Sequence, residues 1–172
     1  NLTVLDIDNN QLTTIPESIG NLTSLTRLLL PYNQITSIPD GIGNMTILTD
    51  LYLFYNNLTS IPESIGNLIS LEQLWLSDNQ LTSLPESICD IPYDCNILVQ
   101  NNQLCEEYHY DCIDGWGGQT TSNCIVIGDI NVDGAINIID IVLLANMILG
   151  DEYDQIADLN EDEELNILDI VM

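Results

Sequence analysis

The sequence predicts an α/β solenoid, with one short parallel strand per turn, joined to a small α-helical module. Three observations predict it. A motif returns every 23 residues through the first part of the chain, five cysteines crowd into the stretch where it fades, and a 12-residue pattern of Asp and Asn occurs twice near the end.

The motif is fullest from Leu48 to Gly66, LTDLYLFYNNLTSIPESIG, and its copies align on Asn10, Asn33, Asn56, Asn79 and Asn102. Around each lies L-x-x-L-x-L-x-x-N-x-L, as in Leu71, Leu74, Leu76, Asn79 and Leu81. Alternation such as Leu51 with Leu53 turns every second side chain inward, and no single copy buries that face without neighbours. Period and pattern resemble leucine-rich repeats over residues 1 to about 104. The resemblance implies a curved leucine-rich repeat solenoid with its parallel strands on the concave face. Burying a bare amide costs a few kcal/mol, so the inward asparagines are expected to bond backbone groups of adjacent turns. Pro16, Pro39, Pro62 and Pro85 exclude a regular helix where they stand, and Ile19, Ile42, Ile65 and Ile88 close each unit from the convex side.

Residues between the inward leucines point to the concave side. Read by column, they bring Tyr32, Tyr52, Phe54, Tyr55 and Trp75 onto one surface of the middle repeats. Exposed aromatic clusters are typical of interface cores, so this surface is a candidate site for an unknown protein or glycan. Tyrosine and tryptophan suit sugar rings and protein loops equally well.

The first 88 residues hold no cysteine, whereas Cys89, Cys95, Cys105, Cys112 and Cys124 follow closely and without metal-type spacing. Such clustering points to disulfides and an oxidising, secreted or cell-surface location. An odd count leaves one over. Cys89 takes the slot of Gly20, Gly43 and Gly66, and Cys95 falls where Thr26, Thr49 and Glu72 sit, a solvent-tolerant position; Cys95 is therefore expected to be unpaired, with Cys89, Cys105, Cys112 and Cys124 as the disulfide candidates. Residues 89–124 read as a degenerate fifth repeat plus a stapled C-terminal cap, similar to those of extracellular leucine-rich repeat proteins. The stretch from Glu106 to Asn123 looks loop-like, and its His109 is expected to be a plain surface residue. Opening at Asn1 inside a repeat, the chain is expected to have further native sequence before it.

With 27 acidic residues, one Arg and no Lys, the net charge is -26. Such a surface repels nucleic-acid phosphates and anionic membranes, and no apolar run reaches the roughly 18 residues of a membrane span. No nucleophile-base pair stands out, so the chain is read as no enzyme.

The C-terminal part carries the metal chemistry. Asp129, Asn131, Asp133, Asn137 and Asp140 place oxygen at positions 1, 3, 5, 9 and 12 of a loop, with Gly134 at position 6 and the Ala135 carbonyl at position 7. Calcium takes six to eight such oxygens at about 2.4 Å. Twenty-nine residues on, Asp158, Asn160, Asp162, Glu164, Asn166 and Asp169 repeat the set, with Glu163 where the turn prefers Gly, so the second site is expected to be weaker. Asp at position 12 and a helix after each loop resemble the type I dockerin module over residues 127–172. The resemblance implies two calcium ions and docking to a cohesin-like module, with Ile138, Ile139, Ile167 and Leu168, at loop positions 10 and 11, among the selecting residues. The competing reading packs these four into the core between the half-modules. With the sequence stopping at Met172, only a stub of the second helix is expected here, from either a truncated sequence or a poorly formed half-module.

The organisation read from sequence is thus repeats over 1–88, cap over 89–124 and a dockerin-like, EF-hand-like module over 125–172. The function expected is a secreted, non-enzymatic adaptor. The alternative is a non-catalytic part of a polysaccharide-degrading, glycoside hydrolase system, or of such an enzyme whose catalytic domain is missing from this chain.

Overall fold

A computed structural model describes residues 2–120, 130 and 138–150. The chain divides into two compact units, Asn1–Asn123 and Cys124–Met172.

The first unit is a stack of near-identical turns. Strands β1 (Val4–Asp6), β2 (Arg27–Leu29), β3 (Asp50–Tyr52), β4 (Gln73–Trp75) and β5 (Asn96–Leu98) form one sheet in chain order. Every pair is parallel with a 23-residue offset, so Leu5, Leu28, Leu51, Leu74 and Ile97 lie side by side. Opposite the sheet, each turn carries a short 3-10 helix: Glu17–Asn21, Asp40–Asn44, Glu63–Asn67 and Glu86–Asp90. Pro16, Pro39, Pro62 and Pro85 cap them in extended conformation, which stops a regular helix from starting earlier. Tight stacking of these helices explains the glycine slot. A Cβ on Gly43 or Gly66 would lie 2.6 Å from the carbonyl oxygen of Ser64 or Ser87 in the next turn. Cys89 fills the same slot in the last of the four, and its sulfur is bonded to that of Cys112.

Leucines and isoleucines from successive turns make one continuous core, in which Leu28, Leu51, Leu53, Leu74 and Leu76 are fully buried. Four asparagines thread it. Asn56 Oδ1 accepts from Ile35 N–H at 2.9 Å, and its Nδ2 donates to the carbonyls of Leu30 and Leu53, both at 3.0 Å. Asn33, Asn79 and Asn102 repeat the arrangement. Each amide therefore satisfies its own turn and the one before it, as expected for buried polar groups. Asn10, in the first turn, is exposed and donates to the Asp8 carbonyl instead.

The stretch after β5 departs from its loop-like reading. Asp114 and Gly115 donate to the Ile97 carbonyl, Val99 N–H donates to Gly115, and Asn101 N–H to Gly117, so this segment lies alongside β5 as a further rung. Gln119 plays the asparagine's part: Leu104 N–H donates to its Oε1 at 3.2 Å, and its Nε2 donates to the carbonyls of Val99 and Trp116 at 2.9 and 2.6 Å. The spacing from Asn102 is 17 residues rather than 23, and the amide is one methylene longer, which is why the motif hides this turn.

Cys95 is free, but it is buried and not solvent-tolerant. Its N–H donates to Pro92, as Leu71 N–H does to Leu68 and Leu48 N–H to Met45. The residue closing the preceding 3-10 helix, Ile91, is extended, with ψ 149° where Leu22, Met45 and Leu68 have 51–66°. That difference slips the chain by one residue, and Cys95 takes the core position of Leu25, Leu48 and Leu71. Burial pushes its thiol up to about 12. Cys105 is disulfide-bonded; Cys124 lies outside the described residues.

In the second unit, helix α1 runs from Ile138 to Gly150. Among the described residues no helix is long and apolar enough to cross a membrane.

Candidate functional site

The parallel register gathers all five aromatic residues singled out in the sequence. Tyr52 and Trp75 are partners on β3 and β4, and their rings stack with centroids 4.2 Å apart and planes within 6°. Just past the strands, Tyr32 and Tyr55 stack at 4.8 Å and 12°. Phe54 stands between the pairs, edge-on to Tyr32 and Tyr55 and tilted against Tyr52 and Trp75. Tyr32 and Tyr55 remain 46% and 48% exposed, so the cluster reaches solvent.

Two further features hold these rings. Tyr32 and Tyr55 have φ of 55° and 54°, in a slot that carries Asn9, Asp78 and Asn101 in the other turns. Asn and Asp adopt left-handed backbone readily, whereas a bulky ring there is an outlier. The polar ends of the other pair are tied down. Tyr52 hydroxyl donates to Asp50 Oδ1 at 3.3 Å, and Trp75 Nε1–H donates to Gln73 Oε1 at 3.1 Å, which also accepts from Asn96. Burial, and then the Asp50 carboxylate, raise the Tyr52 hydroxyl above its ordinary pKa. Arg27 lies 3.4 Å from the other Asp50 oxygen, a partly solvated pair worth less than about 1 kcal/mol. His109 is exposed, as the sequence suggests, and stacks on Trp116 at 4.5 Å.

The second candidate site is on the helical unit. Ile138 and Ile139 are 68% and 53% exposed, in the first turn of α1. Ile141 and Val142, which the sequence reading did not single out, extend the same exposed apolar surface, while Leu144 is buried. A helix apolar on nearly every position buries only one stripe against its own module. Asp140 is 2% exposed, and its Oδ1 accepts from Ile130 N–H at 2.9 Å. That bond joins positions 2 and 12 of the first Asp/Asn stretch. With every side-chain donor an oxygen, the set fits a hard cation such as calcium. Asp129, Asn131, Asp133, Ala135 and Asn137 lie outside the described residues, as does the second set, Asp158, Asn160, Asp162, Glu164, Asn166 and Asp169, with Ile167 and Leu168.

The leucine-rich repeat family model matches residues 1–35 and 23–81, and the dockerin type I domain model matches residues 127–172. Residues 1–81 are leucine-rich repeats, and residues 127–172 are a dockerin type I module. Among solved structures, it is similar to a leucine-rich repeat protein of Leptospira interrogans, with 39% identity and a TM-score of 0.58 over 60% of this chain and 26% of that one. It is also similar to the leucine-rich repeat ectodomain of the receptor kinase SOBIR1 from Arabidopsis thaliana, with 27% identity and a TM-score of 0.58 over 67% of this chain and 69% of that one. A plant ice-binding protein aligns at 30% identity and TM-score 0.55, over 60% of this chain and 35% of that one. The chain thus spans about a quarter of the first of these proteins and about a third of the last. No curated protein sequence matches this chain.

Dockerin type I modules bind calcium and dock to cohesin modules, and leucine-rich repeats bind proteins. Neither module is catalytic.

Proposed function

We propose that this chain is an extracellular adaptor whose dockerin module anchors it to a cohesin while the repeat array holds a second ligand on its aromatic face. The observation that carries the reading is the exposed run Ile138, Ile139, Ile141 and Val142 around the buried Asp140. Calcium at Asp129, Asn131, Asp133, the Ala135 carbonyl, Asn137 and Asp140 would order the start of α1 and so fix that run in space. The second loop, with Glu163 in the tight turn, holds its ion more weakly and places Ile167 and Leu168 in the corresponding positions. Residues 89–124 act as the cap of the array, with the Cys89–Cys112 bond and the short turn closed by Gln119 supporting that role. Paired cysteines support an oxidising, extracellular setting.

The test measures binding of the full chain to a panel of purified cohesin modules, in calcium and in chelator, beside an Ile138→Asp/Ile139→Asp variant. Binding that needs calcium and is lost in the variant is expected. Equal capture in chelator, or no capture by any cohesin, would sink the docking role.

A further inference from the structure

Parallel rings with centroids only 4.2 Å apart must face each other, because carbon atoms do not pack much below about 3.5 Å. Tyr52 and Trp75 are register partners on neighbouring strands, so their stacking axis runs across the strands, within the plane of the sheet. Their rings consequently stand upright and turn edges outward. The next residues of the same row are Leu29 on one side and Leu98 on the other. The Tyr32–Tyr55 pair, offset by the same 23 residues, is stacked likewise, and Phe54 fills the gap between the pairs. A sugar platform needs the opposite arrangement, a ring lying flat so that the C–H bonds of a pyranose meet its electron-rich face. Both stacked pairs use one face of each ring against its partner and do not lie flat.

What the cluster does offer is a rigid apolar ridge with hydroxyl groups on it. The hydrogen bonds of Tyr52 and Trp75 to Asp50 and Gln73 fix those side chains in advance, which lowers the entropy lost on binding. Its second pair sits in the left-handed slot that recurs in every turn, where the other turns carry Asn or Asp and bulky residues are outliers. The surrounding charge has one sign. Residues 1–123 hold 15 Asp and Glu against the single Arg27, whose guanidinium is already beside Asp50. Asp6 and Asp8 lie on the β1 side of the cluster, and Asp78 on the β4 side.

Resting on the reading of this face as a ligand site, we infer that its ligand is a basic polypeptide segment and not a carbohydrate. An apolar side chain of that segment packs on the ring edges, and flanking Lys or Arg meet Asp6, Asp8 and Asp78. Central aromatic packing with a charged rim is the arrangement that concentrates binding energy in protein interfaces.

The experiment offers the full chain, in calcium, a random-peptide phage library and a panel of soluble neutral and acidic polysaccharides. Trp75→Leu removes the large ring, and the double variant Tyr32→Asn/Tyr55→Asn removes the second pair by substituting a residue that the slot already accepts at Asn9 and Asn101. Enrichment of peptides with an apolar residue between Lys or Arg is expected. Their affinity should fall about 30-fold in Trp75→Leu, fall clearly in the double variant, and weaken as salt rises. Polysaccharide binding that both variants abolish overturns the polypeptide inference yet keeps the face as a ligand site. Selection of acidic or uncharged peptides overturns the charge argument. Peptides that bind wild type and variants alike, or no enrichment at all, overturn both the inference and the reading beneath it.

Discussion

In the repeat array, Leu51, Leu53, Leu74 and Leu76 are fully buried and each ladder amide is bonded to two turns. In helix α1, Ile138, Ile139, Ile141 and Val142 stand in solvent around one buried carboxylate. The array thus finds its partners within its own chain, turn upon turn, so its stability is a sum of neighbour contacts. The helix turns apolar side chains outward, and the carboxylate beneath it accepts from the Ile130 N–H. One region is specified from inside and the other from outside.

Removal of calcium puts most strain on that contrast. An ion present at about 1,000 times its dissociation constant contributes roughly 4 kcal/mol. Chelation, or Asp129→Ala, should therefore abolish the far-UV helical signal of the tail while the urea midpoint of the array stays in place; a helix that survives chelation would break the comparison. Next in size is Asn56→Ala, which strips Ile35 N–H and the Leu30 and Leu53 carbonyls of their amide. A loss of about 3 kcal/mol is expected, read from urea unfolding by tryptophan fluorescence. Asn10→Ala, at the exposed end of the ladder, should shift it by less than about 0.5 kcal/mol. Equal effects at the two asparagines would show that the ladder is decorative.

Opening the Cys89–Cys112 bond by paired serine substitution should lower the stability of the array by about 2 kcal/mol. That estimate sits at the low end for a disulfide, because hydrogen bonds already hold the turns it encloses; thermal unfolding of the two proteins measures it. Smallest of all is Tyr55→Asn. Relief of left-handed strain, about 1 kcal/mol, offsets a lost ring contact of similar size, so the unfolding midpoint should hardly move. A large drop would mean that the tyrosine pair supports the array and not a ligand.

The array was legible because stacking demands the same residue in the same slot every 23 positions, and Leu, Asn, Pro and Gly each answer a separate demand. Legibility ended where the count slipped. Cys95 lies one residue out of phase, so counting placed it in solvent when the extended Ile91 puts it in the core. Gln119 escaped because its turn is short and its amide comes from a different residue type. For the aromatic face, alternation alone brought the five rings together, since side-chain direction in a strand follows from position. Which ring faces which does not, because it depends on torsions that packing decides. On α1, composition signals more apolar residues than one stripe needs, and the folded helix puts Ile141 and Val142 outside with Ile138 and Ile139.

The amide ladder also has a direction. Each asparagine reaches back to the turn before it, 21 and 26 residues upstream, and every such pair of turns is joined in the same way. Duplication or loss of whole 23-residue blocks between Asn33 and Asn102 leaves no bond open, whereas a cut whose length is not a multiple of 23 does. Unequal recombination within the coding sequence can therefore lengthen or shorten the array without inventing a new junction, carrying the tyrosine-bearing turns along as a cassette.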